Sequence, residues 1–334
     1  MEKIFKILDG KPSVYVPPKY FYLNWSKYQA VWLTEKPAEL RFSTSLTCKD
    51  YDQNDICVCS DYNEPFYETS ESPERLYNNI NYLKSHLHIC VRRSNSFKAL
   101  KTAKHYMDCN PETFLRQLAI IALEDALPLE GYSVLVWFIV ACEKGYVLSN
   151  EQIAWCYGYL YDLCQCGYYE DASVRPVNFK SFKKLRMHKI PETERHLLYS
   201  MMLRRSVDKH NKEILAQSID LWYHRILTKS LFMDKLQRKT IIITPPTEPL
   251  ELREWYLGAI DHHCCQYLIS NLTDKFDLPP QDITDAIQNY SSSLTDKSTL
   301  TSVSDEKKTD HETVWTRIRK SFFSSAKYNL NKYH

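Results

Sequence analysis

Apolar residues from position 72 onward recur at the spacing of one helix face, which predicts a largely α-helical chain. Ser72 followed by Pro73 is typical of a helix start, because serine caps the free N–H groups and proline suits the first helical position. Residues 132–143 are apolar on every side, which predicts a helix buried among the others. Further helices are predicted at 96–107, from 111, from 150, and at 192–206, 211–238 and 249–271.

The first 48 residues have a different pattern, rich in tyrosine, valine, tryptophan and phenylalanine and interrupted by prolines. The stretches "SVYV", "YFYLNW" and "AVWL" predict short strands, or extended arms that cross a helical body. Residues 50–74 contain eight acidic residues and no basic one, which predicts an exposed loop.

These patterns predict a mainly α protein with four parts. A short extended or β-containing arm with its acidic loop covers 1–71, and a helical bundle covers 72–290. A Ser/Thr-rich flexible linker follows at 291–310. The tail ends in an amphipathic helix over 311–334, with Val314, Ile318 and Phe322 on one face.

The stretch "CNPETFLRQLAIIALEDALP", residues 109–128, places charges where a core helix would not need them. Asn110 caps the helix and Pro111 begins it. We predict that Arg116, Glu124 and Asp125 form a partly buried ionic network that orients this helix against the next one. Asp125 or Glu130 would cap the following helix. The alternative is that the three charges contact a partner or a ligand.

Residues 110–166 resemble the C-terminal helical region of RarA/MgsA-type AAA+ ATPases, which are relatives of clamp loaders. The shared pattern consists of Asn110-Pro111, Leu115-Arg116-Gln117-Leu118 and the run from Ile121 to Asp125. The sequence departs from the family at Gln117, Leu123, Ala126 and Leu127, and it has no Walker motif. The resemblance therefore implies a collar-like packing module that makes oligomer contacts in proteins acting at DNA, and it does not carry over the ATPase activity.

Composition excludes several classes of protein. Six glycines in 334 residues is far below the usual roughly 7%, and neither GxxxxGK[ST] nor GxGxxG occurs. A P-loop ATPase and a dinucleotide-binding enzyme are therefore not expected, and no cofactor is predicted. The eleven cysteines follow no apolar leader, which predicts an intracellular, reducing compartment. The longest apolar run, Val134–Cys142, is about half of a bilayer span, so no membrane association is predicted.

Basic residues are concentrated between Arg175 and Lys212. This basic segment contains eleven lysines and arginines against three acidic residues, a net charge of +8 over 38 residues. Such clusters attract phosphates, and interleaved aromatic residues can stack on bases. We predict that the segment contacts DNA or RNA, through Arg175, Lys180, Lys183, Lys184, Arg186, Lys189, Arg204 and Arg205. The alternative is a solvated helix face.

The sequence signals for a metal site or a catalytic nucleophile are weaker than the signal of the basic segment. No CxxC pair occurs, and "HLHIC" at 86–90 places only His86 and Cys90 on one helix face. Asp261, His262 and His263 form a possible surface site, which would suit a metal-dependent hydrolase. No Gly-x-Ser-x-Gly elbow is present.

The sequence therefore favours a non-catalytic intracellular interaction protein, an accessory factor in DNA replication, repair or transcription. Its predicted partners are proteins, including a second copy of the chain, and DNA or RNA. A structural subunit of a larger assembly and a metal-dependent hydrolase remain the alternatives.

Overall fold

The computed structural model describes residues 17–48, 54–64, 80–170, 185–228, 240–256, 266–287, 298–299 and 305–332. Over these residues the chain is mainly α-helical, as predicted, with a small four-stranded sheet near the N-terminus. The strands are β1 Tyr20–Asn24, β2 Gln29–Leu33, β3 Phe42–Cys48, β4 Asn54–Ser60, β5 Tyr168–Tyr169 and β6 Ser298–Thr299. The helices are α1 Ile80–Arg92, α2 Ser96–Cys109, α3 Pro111–Glu124, α4 Tyr132–Cys142, α5 Asn150–Gln165, α6 Glu192–Val207, α7 Lys212–Leu227, α8 Gln266–Phe276, α9 Pro280–Ala286 and α10 Asp305–Lys332.

The N-terminal sheet is part of the main hydrophobic core. Its strand order is β2-β1-β4-β3, with β1 antiparallel to β2 and parallel to β4. Alternate residues of β1 and β2 are buried, as expected for a sheet with one covered face. The Trp137 side chain of α4 donates its indole N–H to the carbonyl oxygens of Phe21 and Cys59, each at 3.1 Å. The sheet is therefore fixed to the most apolar helix.

Two predictions about exposed connections were wrong in part. β4 lies within the acidic stretch 50–74, and Ile56, Val58 and Cys59 in it are fully buried. The loop prediction was based on the number of acidic residues around "DICVC". A count of charges does not show which side chains of a strand face the core. Similarly, α10 begins at Asp305, so the end of the predicted linker 291–310 is helical.

The helix ends follow the capping residues. The Asn110 side chain accepts a hydrogen bond from the N–H of Thr113 at 3.0 Å and caps α3. Ser149 and Gln152 form the capping box of α5. Gly145 follows α4 with a φ of +89°, a conformation that favours glycine. Helix α4 is buried on all sides, as its composition predicted.

The predicted helix at 249–271 was wrong over its first part. A short 3₁₀ turn covers Leu252–Glu254, residues 257–265 lie outside the described residues, and α8 covers Gln266–Phe276. The Glu254 carboxylate forms an ion pair with Lys101 of α2 at 3.0 Å, and it accepts a hydrogen bond from the N–H of Glu251 at 2.8 Å. These contacts hold the segment against α2 in a non-helical conformation.

A second hydrophobic cluster joins the last three helices. Ile318 and Phe322 of α10 are fully buried in it, which confirms the predicted apolar face. Leu272 and Ile283 contribute from α8 and α9. Farther along α10, Ala326 belongs to the main core cluster. None of the helices in the described ranges is long and apolar enough to cross a membrane.

Gly158 in the middle of α5 provides the first test of the packing. The extended segment at 240–243 crosses the helix there, and the N–H of Ile243 donates to the carbonyl of Ala154 at 3.1 Å. A Cβ added at Gly158 would lie 1.6 Å from the Ile241 carbonyl oxygen. We expect Gly158→Ala to lower the free energy of unfolding by about 1–3 kcal/mol in urea denaturation, because overpacking outweighs the better helix propensity of alanine.

Gly167→Ala is the matched control, because no atom lies within 4 Å of a Cβ added there. Its stability should stay within about 0.5 kcal/mol of the parent. An increase in stability for Gly158→Ala would show that the segment at 240–243 does not pack on α5 in this way.

Candidate functional site

The predicted ionic network of Arg116, Glu124 and Asp125 is divided between two places. Arg116 binds Glu112 at 2.8 Å and Glu143 at 2.5 Å, so it links α3 to the end of α4. Asp125 instead lies at the other end of α3 and binds residues of α1. The structure therefore does not bring Arg116 together with Asp125.

Asp125 is the centre of a buried polar cluster. Its carboxylate accepts hydrogen bonds from the Arg92 guanidinium and from Nδ1 of His88, and His88 Nε2 contacts the Gln117 amide. Both ring nitrogens of His88 therefore have a polar partner. Burial alone would raise the pKa of the Asp125 carboxyl, but Arg92 and His88 hold it well below its usual range. Asp125 and His88 are fully buried, and the cluster fixes α1 against α3.

Glu124 lies near the same cluster. Burial alone would lower the pKa of the Arg92 guanidinium, but Asp125 and, more weakly, Glu124 raise it above its ordinary value. The expectation that Asp125 or Glu130 caps α4 was wrong, because Gly131 occupies the cap position and no side chain bonds there. Asp125 is turned toward α1 instead.

The basic segment does not form one cationic surface along its described part. Arg175, Lys180, Lys183 and Lys184 lie outside the described residues. Arg186 and Lys189 are exposed just before α6, whereas Lys209 and Lys212 are exposed beyond its other end. The 16 residues of α6 separate these two groups by about 24 Å at 1.5 Å per residue.

Arg204 was wrongly predicted to contact nucleic acid. Its side chain is completely buried and forms an ion pair with Asp208 at 2.5 Å. Asp208 also accepts hydrogen bonds from the N–H groups of His210 and Asn211, so the pair shapes the turn between α6 and α7. Arg205 is half-buried and donates to the Lys212 carbonyl oxygen at 3.3 Å. A count of charges could not show that α6 turns Arg204 into the core.

A metal site receives no support from the described residues. Across them, no group of three or more histidine, cysteine or acidic side chains could hold a metal ion. Asp261, His262 and His263 lie outside the described residues. His86 and Cys90 do lie together, but His86 is fully buried and its Nδ1 is bonded to Thr102 at 2.8 Å. Burial lowers the pKa of His86 to about 3 and raises the pKa of the Cys90 thiol.

The most concentrated exposed cationic surface among the described helices is on α10. Residues 313–328 contain four basic residues and no acidic one. All four are exposed: Lys320 and Lys327 lie opposite Ile318 and Phe322, Arg319 lies on one flank, and Arg317 lies on the other flank, where its guanidinium donates to the Phe276 carbonyl oxygen at 3.1 Å. We call these four residues, with Phe323 and Tyr328, the basic face of α10.

The basic face also presents aromatic rings to solvent. Phe323 is 41% exposed and Tyr328 is 69% exposed. Because positions three and four apart share a helix face, Phe323 lies beside Arg319, Lys320 and Lys327. Lys275 of α8 is exposed nearby, where its Nζ donates to Ser321 at 3.0 Å. Over the residues that the structure describes, no carboxylate forms an ion pair with the four cations of this face.

The signal for this face was present in the sequence. Val314, Ile318 and Phe322 mark the buried side of the last helix, so the cations between them point outward. Comparisons with protein-family models, with curated proteins and with solved structures found no match to this chain.

Proposed function

We propose that the protein is a nucleic-acid-contacting accessory factor, and that the basic face of α10 binds phosphates. The observation that carries the proposal is an exposed helix face with four cations, two aromatic rings and no acidic residue from 313 to 328. Lysine and arginine release counterions from nucleic acid when they bind, and aromatic rings stack on unpaired bases. This combination favours a single-stranded nucleic acid.

An anionic membrane surface suits the face less well. A helix that lies in a membrane interface must bury its apolar side in lipid. The apolar side of α10 is already buried, because Ile318, Phe322 and Ala326 are inaccessible to solvent. Of the described α10 side chains, Phe323 and Tyr328 are the exposed apolar ones that remain to enter a lipid layer.

The remaining parts of the chain take supporting roles in this proposal. Arg186, Lys189, Lys209 and Lys212 are exposed cations in the described part of the basic segment and would add phosphate contacts. The helices act as a bundle-like body, and residues 110–166 pack as the collar-like module that the resemblance implies. A role in DNA replication, repair or transcription follows from that resemblance and from the basic face together. A scaffold subunit is the second candidate, favoured by the open edge of β2 described below.

A salt series tests the proposal. Fluorescence anisotropy of the full chain with a labelled 20-nucleotide thymidine strand should show binding that weakens steeply with salt. Four phosphate contacts to a single strand give a slope of about −3 in a plot of log affinity against log salt concentration. Binding with a slope near zero, no binding, or binding only to phosphatidylserine vesicles would contradict the proposal.

A further inference from the structure

A cleft of about 440 Å³ lies between β2, the loop before α4 and the first turn of α6. Ala30 and Val31 of β2 form one wall, and Leu129 and Leu197 add apolar surface. This volume is in the range of about 300–1,000 Å³ that is common for ligand clefts. The cleft is remote in sequence from the basic face of α10.

The wall formed by β2 is the open edge of the sheet. Among the described strands, β2 is the outer strand of the sheet and pairs with β1. The N–H of Trp32 points away from β1, because it donates to Nδ1 of His196 at 3.1 Å. Backbone groups alternate along an antiparallel strand, so the N–H and C=O of Ala30 point outward as well. Ala30 lines the cleft, with 5% of its surface exposed.

An open strand edge is a template for another strand. Extended peptides add to such edges through main-chain hydrogen bonds, and the side chains that alternate along them enter neighbouring pockets. Among the described residues, His196 is the group bonded to this edge, at Trp32, so the edge at Ala30 is where an added strand would bond. The apolar Leu129 and Leu197 would receive side chains of that strand.

The charge of the cleft identifies the kind of peptide. Glu130 and Glu194 line it, and no lysine or arginine does so among the described residues. Glu130 is exposed and Glu194 half-buried, so both carboxylates are accessible from the cleft. A cationic side chain between the two carboxylates would offset their negative charge.

We propose that this cleft binds an extended segment of a partner protein. The segment adds to the edge of β2 at Ala30 and places a lysine or arginine side chain between Glu130 and Glu194. This inference is independent of nucleic-acid binding by α10.

Selection from a random seven-residue peptide library on the immobilised full chain tests this assignment. The enriched peptides should carry a lysine or arginine and lack proline at their centre. Glu130→Gln with Glu194→Gln should weaken the best peptide by at least about 10-fold, because both carboxylates face its cation. Glu213→Gln, on the exposed side of α7, is the matched control and should leave binding unchanged.

Two further measurements separate strand addition from other modes of binding. Ala30→Pro removes the outward N–H without removing a hydrogen bond to β1, and it should abolish binding. If that variant does not fold, N-methylation at alternate positions of the peptide gives the same test on the unaltered protein. Enrichment of peptides without a cation, or no enrichment, would overturn the proposal. Binding that survives both Ala30→Pro in the protein and N-methylation of the peptide would overturn it as well. A dimer that the β2 edge forms with a second copy, measured by light scattering, would also overturn it.

Discussion

Replacing Asp125 with asparagine should lower the free energy of unfolding by about 3–5 kcal/mol, measured by urea denaturation. The Asp125 side chain is fully buried and accepts bonds from both Arg92 and His88. The Arg92 side chain is only 21% exposed, so its charge would lose its partner while remaining mostly buried. Removing the charge of one member of a buried ion pair lowers the stability of the fold for this reason, whatever the net contribution of the intact pair.

The surface pair of Arg116 and Glu112 provides the control. Glu112 is 59% exposed, and Glu112→Gln should cost less than about 1 kcal/mol. The free energy of unfolding should also fall more steeply with acid in the parent protein than in the Asp125→Asn variant. Because the folded pKa of Asp125 is depressed, its contribution is complete above the unfolded value of about 3.9 and is lost as the pH falls below it. Equal, small effects of both substitutions would show that Asp125 does not hold α1 to α3.

Reversing three charges on the basic face should remove nucleic-acid binding. We expect the variant Arg319→Glu, Lys320→Glu and Lys327→Glu to bind the thymidine strand at least about 100-fold more weakly, since attraction to phosphate becomes repulsion. All three side chains are exposed, so the fold should be unaffected. Anisotropy at fixed salt measures the affinity, and circular dichroism checks the fold.

A second triple variant makes the same change in net charge at exposed lysines outside the basic face of α10. Lys27→Glu, Lys36→Glu and Lys144→Glu should reduce affinity by less than about 3-fold, because these lysines take no part in the proposed contact and long-range attraction is screened over a Debye length of about 10 Å. Equal losses in the two triple variants would mean that net charge, and not the face of α10, governs binding.

Local signals in the sequence predicted the helices well where capping and periodicity agreed. Asn110 and Ser149 cap helices as expected, and the all-apolar α4 is buried. Strand β4 was missed because its apolar residues stand in an acidic stretch. No local pattern distinguishes such a strand from a loop, since its partners β1 and β3 supply the hydrogen bonds.

The charged residues show why sites are harder to predict than helices. The position of Asp125 at the end of an apolar helix predicts a charge with a partner, but its partners Arg92 and His88 are 33 and 37 residues away in the sequence. Arg204 contributed to the most basic stretch of the chain and is nevertheless buried against Asp208. Charge density along a sequence carries no information on orientation, which depends on how each helix packs.

Photo-cross-linking tests the nucleic-acid interface of α10 most directly. A thymidine strand that carries 5-bromouracil is bound to the full chain, irradiated and digested with trypsin, and the linked peptides are identified by mass spectrometry. Cleavage after Lys320 and Lys327 releases residues 321–327, which include Phe323. Cross-links to this peptide are the predicted result. Cross-links confined to the region of Lys209 and Lys212, beyond the C-terminal end of α6, or to the N-terminal sheet would contradict a nucleic-acid interface on α10.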